Sequence, residues 1–169
     1  KQALFWLKKA GDQGNVEAQA ALGLKYRTGK GAQKDYSQAV YWYLKAAKQG
    51  NGKAQSYLGV MYSRGAGVQE DAEQAVYWLR KAAGQGLPDA QFQLGGMYFT
   101  GSGVQKDDRQ AVYWYQKAAD QGIGSAQFLL GMAYDNGSGV KADYQQALYW
   151  YQKAADQGNK EAIDTLRNM

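Results

Sequence analysis

Apolar residues recur along this chain at helical spacing, and the spacing itself recurs. Ala18, Leu22 and Tyr26 fall at i, i+4 and i+8, and the triplet returns as Ala54, Leu58, Tyr62, then Ala90, Leu94, Tyr98 and Ala126, Leu130, Tyr134. Each triplet puts one apolar stripe on one helix. A second stripe follows each: Ala39, Trp42 and Ala46 at i, i+3 and i+7, with Tyr41 and Tyr43 beside the tryptophan. The five tryptophans, Trp6, Trp42, Trp78, Trp114 and Trp150, are spaced 36 residues apart. A period of that length predicts a stacked array of helix pairs with one continuous core. The boundaries are a second helix over 1–14, full pairs over 15–50, 51–86, 87–122 and 123–158, and a first helix over 159–169, all one domain over 1–169.

The polar positions punctuate this pattern. Asn15, Asn51 and Asn159 stand where first helices begin, and Leu87 is followed by Pro88 at the first helical position. Asn caps through its side-chain oxygen, and proline loses nothing where the N–H has no helical partner. Asp35, Asp71, Asp107 and Asp143 each precede a glutamine by three residues, the spacing of a capping box. That spacing accounts for the recurring aspartates without catalysis or a metal. Gly101 and its equivalents suit a left-handed helix stop. Val68, Val104 and Val140 are expected to anchor the loops. Gly23, Gly59, Gly95 and Gly131 sit mid-helix, where glycine costs about 1 kcal/mol relative to alanine. Their recurrence predicts that a partner helix, or a ring from it, packs on the bare backbone. The tryptophans are expected to fill the space between successive pairs.

Composition narrows the chemistry. The 169 residues are 45% hydrophobic and 21% charged, as expected of a folded chain. There is no cysteine and no histidine, so no thiolate metal site and no imidazole base. No catalytic residues, cofactor or metal are predicted. No apolar run reaches the roughly 18 residues of a membrane span. Residues 1–34 hold seven Lys/Arg against two Asp/Glu, and residues 35–169 hold 13 of each. The lysines are scattered over amphipathic helices, which predicts a solvated surface and no nucleic-acid partner. The chain starts at Lys1 inside a repeat, which predicts that an N-terminal part has been removed.

The repeated motif is Ala-x-x-x-Leu-Gly-x-x-Tyr, then Gly-x-Gly-Val-x-x-Asp, then Ala-x-x-Trp-x-x-Lys-Ala-Ala-x-x-Gly. The copies over 51–86, 87–122 and 123–158 match throughout, and 15–50 departs at Ala32. This resembles the Sel1-like repeat family, relatives of the tetratricopeptide repeats, over essentially the whole chain. The resemblance implies an all-α fold, a right-handed superhelix of antiparallel helix pairs with first helices on the concave face. It implies an adaptor that holds a protein or peptide partner, with an immunity protein neutralising a toxic bacterial enzyme as the alternative. A glycan or peptidoglycan binder, through Tyr57 or the phenylalanines, is a further one. It also implies a bacterial periplasmic or secreted location ahead of a cytoplasmic one.

The copies locate a candidate site by their differences. Positions equal in every copy build the array, and positions that vary on the face away from the core are free to recognise something. On the first helices these form one stripe. It gathers Phe92, Gly96, Phe99, Phe128 and Met132, where other copies carry Ala20, Ser56 or Ser63. An exposed apolar patch of this kind marks a partner site. Arg27, Arg64 and Asp135 are the expected polar rim. The half-repeats at the two ends, with Phe5 and Met169, could also stack between molecules.

Overall fold

A computed structural model describes residues 2–169. Ten helices and no strand are found among them. The contacts divide the chain into two compact units, one ending at Gln85 and the other beginning at Gly86. In the first unit, α1 (Gln2–Asp12) lies against α2 (Val16–Thr28), which pairs with α3 (Tyr36–Lys48), and α4 (Gly52–Arg64) pairs with α5 (Ala72–Gly84). In the second, α6 (Pro88–Thr100) pairs with α7 (Asp108–Asp120), α8 (Gly124–Asn136) pairs with α9 (Tyr144–Asp156), and α10 (Lys160–Asn168) lies against α9.

The helix ends form as their sequences dictate. Asn15, Asn51 and Asn159 accept from the N–H groups of Ala18, Ala54 and Ala162 at 2.8–2.9 Å. Leu87 and Ile123 occupy the same position without a side-chain cap, and at Leu87 the following Pro88 compensates. The aspartates cap the second helices: Asp107 accepts from the Gln110 N–H at 3.0 Å. Each also returns the chain to its own pair, since the Asp107 N–H donates to Tyr98 O at 3.0 Å. Gly101 ends α6 at φ 76°, a conformation other L-residues rarely take. The second loop glycine has a different reason. A Cβ on Gly139 would collide with the Asp108 carbonyl at the start of α7, so this loop rests directly on the preceding pair.

Inside each pair the mid-helix glycine receives a side chain from the second helix. A Cβ on Gly95 would lie 2.7 Å from two ring carbons of Tyr115, and one on Gly131 would lie 2.7 Å from a ring carbon of Tyr151. Tyr43 fills the same place over Gly23, and Leu79 over Gly59. Trp42, Trp78 and Trp150 are buried and Trp114 is half-buried. Trp42 reaches back to Gly11 of α1. Trp6 departs from the core expected of the series. It is 56% exposed, because among the described residues α1 packs against α2 and no helix covers its tryptophan.

Within each unit, glutamines join neighbouring helices to one another. Gln19, Gln55, Gln91 and Gln127 are buried. Gln19 Nε2 donates to Gly11 O at 2.9 Å, and its Oε1 accepts from Gln49 Nε2 at 2.8 Å. Gln49 Nε2 also donates to Gly14 O. The relay repeats as Gln127 to Ala119 O at 3.1 Å with Gln157 to Gln127 at 2.8 Å. Buried amides are tolerable because both their donor and acceptor ends are used.

Candidate partner-binding site

The second unit carries most of the predicted stripe, and its aromatic residues fall into two groups. Phe92 and Phe128 are half-buried. Phe92 lies against the Tyr115 ring (centroids 6.0 Å apart), and Phe128 against the Tyr151 ring (5.7 Å). They therefore act as outer walls of the core, resting on the same tyrosines that fill the glycine notches. Phe99 and Met132 are different: they are 48% and 38% exposed. Between them lies a cavity of about 120 Å³. Its floor is Ala111, Val112 and Tyr115 of α7, and its far wall is Leu129 and Ala133 of α8. Asp108, Asn136 and Ser138 supply its polar edge.

Charge is confined to one side of this opening. Lys106 Nζ stands 5.5 Å from the Phe99 ring centre and 3.7 Å from Asp108 Oδ1. That oxygen is excluded from water and has no hydrogen-bond donor. Gly96 leaves space beside the cavity, since a Cβ there would meet only the Tyr115 hydroxyl, at 3.8 Å. Asp135 is exposed and accepts from the Tyr151 hydroxyl at 3.4 Å. Burial pushes the Tyr151 hydroxyl up to about 12, and the Asp135 carboxylate adds to the shift. Burial also raises Tyr115 to about 12.

In the first unit the equivalent positions look different. Arg27, the counterpart of Phe99, holds its guanidinium 4.4 Å from the centre of the Tyr57 ring. Tyr57 in turn lies on Tyr43, with ring centres 5.3 Å apart. Tyr57 is thus sandwiched and half-buried, not the exposed ring that stacking on a sugar requires. Burial pushes the Tyr43 hydroxyl up to about 12 although the Arg27 charge beside it pulls the other way. Arg64 is exposed. Among the described residues no group of three or more Asp or Glu is placed to hold a metal ion, and no helix is long and apolar enough to cross a membrane.

A family model described as Sel1 repeat matches residues 1–15, 16–51, 52–87, 88–123 and 124–159. The chain belongs to the Sel1 repeat family. Its fold is the all-α solenoid of 36-residue helix pairs seen in solved Sel1 repeat proteins. One is a protective antigen of uropathogenic Escherichia coli displaying an SLR fold, 43% identical with a TM-score of 0.92 over 95% of this chain and 34% of that one. Another is a Sel1 repeat protein from Oxalobacter formigenes, 38% identical with a TM-score of 0.86 over 98% of this chain and 48% of that one. The chain thus spans about a third to a half of these relatives. A third is an immunity protein from Pseudomonas aeruginosa, 27% identical with a TM-score of 0.58 over 95% of this chain and 60% of that one. No curated protein sequence matches. Sel1 repeat proteins generally mediate protein–protein interaction.

Proposed function

We propose that this Sel1 repeat chain is an adaptor that binds a peptide or protein segment on the first-helix face of residues 86–169, without catalysing a reaction. The observation that carries this reading is the pair Phe99 and Met132, both exposed, on either side of an apolar cavity. Exposed aromatic and methionine side chains beside a cavity suit the centre of an interface. Asp135 and Asn136 on α8 form the polar rim, and Gly96 leaves the approach open. Arg27 is held within its own unit by Tyr57, whereas Arg64 is exposed and stays a candidate contact.

The test is selection of peptides from a random display library on immobilised protein, followed by affinity measurement. Phe99→Ser with Met132→Ser should lose the selected peptides by at least about tenfold while keeping wild-type helicity. Phe92 and Phe128 are left intact because each supports a buried tyrosine. Undiminished binding by the folded double variant overturns the location.

A second reading is favoured by the likeness to three Pseudomonas aeruginosa proteins, two of them described as immunity proteins, at 27–28% identity and TM-scores of 0.55–0.58. On that reading the same face neutralises a toxic enzyme. Stoichiometric loss of one enzyme's activity on mixing separates it from an adaptor, which bridges two proteins and leaves both active.

A further inference from the structure

The cavity of the second unit has an internal counterpart. Shifting its lining by two repeats turns Ala111 and Tyr115 into Ala39 and Tyr43, so the floor is unchanged. The wall differs. Ala133 becomes Met61, and Leu129 becomes Tyr57. Met61 is buried and packs in one cluster with Ala39 and Tyr43. Met97, at the same position in α6, is buried too. The first unit thus fills this place with its own methionine, and Arg27 closes it over Tyr57. In the second unit the methionine is replaced by alanine, the tyrosine by leucine and the arginine by Phe99. What remains is an open space of about 120 Å³, of the order of the 150 Å³ in which an apolar cavity stays dry and accepts a benzene-sized guest.

We propose that this space is a socket for one unbranched apolar side chain, methionine foremost, carried by a peptide segment of a protein partner. The shape argument is that the chain itself seats methionine against the same floor. Methionine also suits the contacts on offer, since its sulfur packs well at the edge of rings such as Tyr115 and Phe99. Charge sets the flanks of the segment. Residues 86–169 hold seven Lys/Arg against nine Asp/Glu, whereas residues 1–85 hold 13 against six. At the socket's edge the Asp108 carboxylate stands 3.7 Å from Lys106 Nζ, with Oδ1 accepting no hydrogen bond among the described residues. The segment beside the anchor is therefore neutral or basic. An acidic one would face Asp108, the carboxylate that lines the socket.

This inference rests on the face assigned above and is tested separately from it. The probes are the blocked amino acids N-acetyl-methionine N-methylamide, its norleucine analogue and its glutamine analogue. They are titrated into protein with isotope-labelled Met and Ala methyl groups. The methionine and norleucine probes should shift the Met132 and Ala133 methyl signals saturably and bind at least about tenfold tighter than the glutamine probe. Ala133→Met, which restores the residue found at Met61 and Met97, should fill the socket and abolish the Met132 shift. Leu129→Tyr, which restores Tyr57, should do the same if Ala133→Met does not fold. Equal binding of the glutamine probe, or shifts that persist in either folded variant, overturns the socket. Peptide binding that is lost with Phe99→Ser and Met132→Ser but kept in Ala133→Met leaves the face standing and removes the socket alone.

Discussion

Adjacent glycines in α6 give the most direct test of how the pairs are held together. Alanine at Gly95 or Gly96 gains the same helix propensity, about 1 kcal/mol. The surroundings differ. At Gly95 the new Cβ would lie 2.7 Å from two ring carbons of Tyr115 and 3.2 Å from the Ala111 carbonyl oxygen. Carbon atoms rest at about 3.5–4.0 Å, so the ring would have to retreat by roughly 1 Å. Tyr115 cannot do so freely, because it is buried with Phe92 against its ring. Overpacking of this kind costs about 1–3 kcal/mol. At Gly96 the nearest atom is the Tyr115 hydroxyl at 3.8 Å, an ordinary contact. The propensity gain cancels between the two variants, so Gly95→Ala should be less stable than Gly96→Ala by about 1–3 kcal/mol. For a chain of this size that separates the melting temperatures by roughly 2–12 °C. Gly95→Val adds a branched side chain to the same clash and should fall further. Urea unfolding should be followed by far-UV circular dichroism and by tryptophan fluorescence, since repeat arrays can unfold in parts. Equal stability of Gly95→Ala and Gly96→Ala would refute the account of why glycine recurs here.

Two further predictions address the polar part of the core. Gln127→Leu removes the side-chain donor to Ala119 O, which keeps the Gly122 N–H, and leaves Gln157 Nε2 without the Gln127 acceptor, and should lower stability by about 1–3 kcal/mol in urea denaturation; a wild-type midpoint would show the relay to be dispensable. The hydroxyls of Tyr43, Tyr115 and Tyr151 are each raised by burial from 10.0 to about 12. The folded state then holds protons that the unfolded state releases, so this stability is complete below pH 10 and is lost as pH rises through about 12. An ultraviolet titration should show these tyrosines ionising after the others, and Tyr115→Phe should soften the alkaline decline; a single tyrosine transition near 10 with the fold intact would contradict the burial.

Much of this molecule can be read from its sequence because the same local problems are solved in every copy. The aspartate caps and the mid-helix glycines sit where the spacing places them, since each depends on residues close by in its own pair. The glutamine relay is equally regular in the sequence, yet it is hard to read there. A glutamine looks like surface until its two partners, 8 and 30 residues away, are seen to converge on it. The phenylalanines show the other limit. Phe92, Phe99 and Phe128 share one stripe, but only the second helix decides which find a ring to rest on. Tyr115 and Tyr151 claim Phe92 and Phe128 and leave Phe99 exposed.

Position 133 sharpens the argument from differences between copies. Variation on an exposed face is cheap, so by itself it says little about use. Variation in the core is not cheap. Exchanging a buried methionine for alanine typically costs about 2–5 kcal/mol, with a larger loss when the site cannot collapse. Here the site has not collapsed. The space beside Ala133 is still open, because Ala111 and Tyr115 beneath it are fixed by the glycine notch and the pair's own packing. The last full repeat therefore lacks the packing that Met61 and Met97 supply in theirs, and an entering side chain can restore it. Occupancy of the socket and stability of this repeat are then linked: a ligand that binds only the folded form raises its stability in proportion to the logarithm of its concentration. Ala133→Met should supply the same stability without a ligand and remove the capacity to bind one. Those two effects are opposite in sign, which a residue serving only to fill the core would not produce.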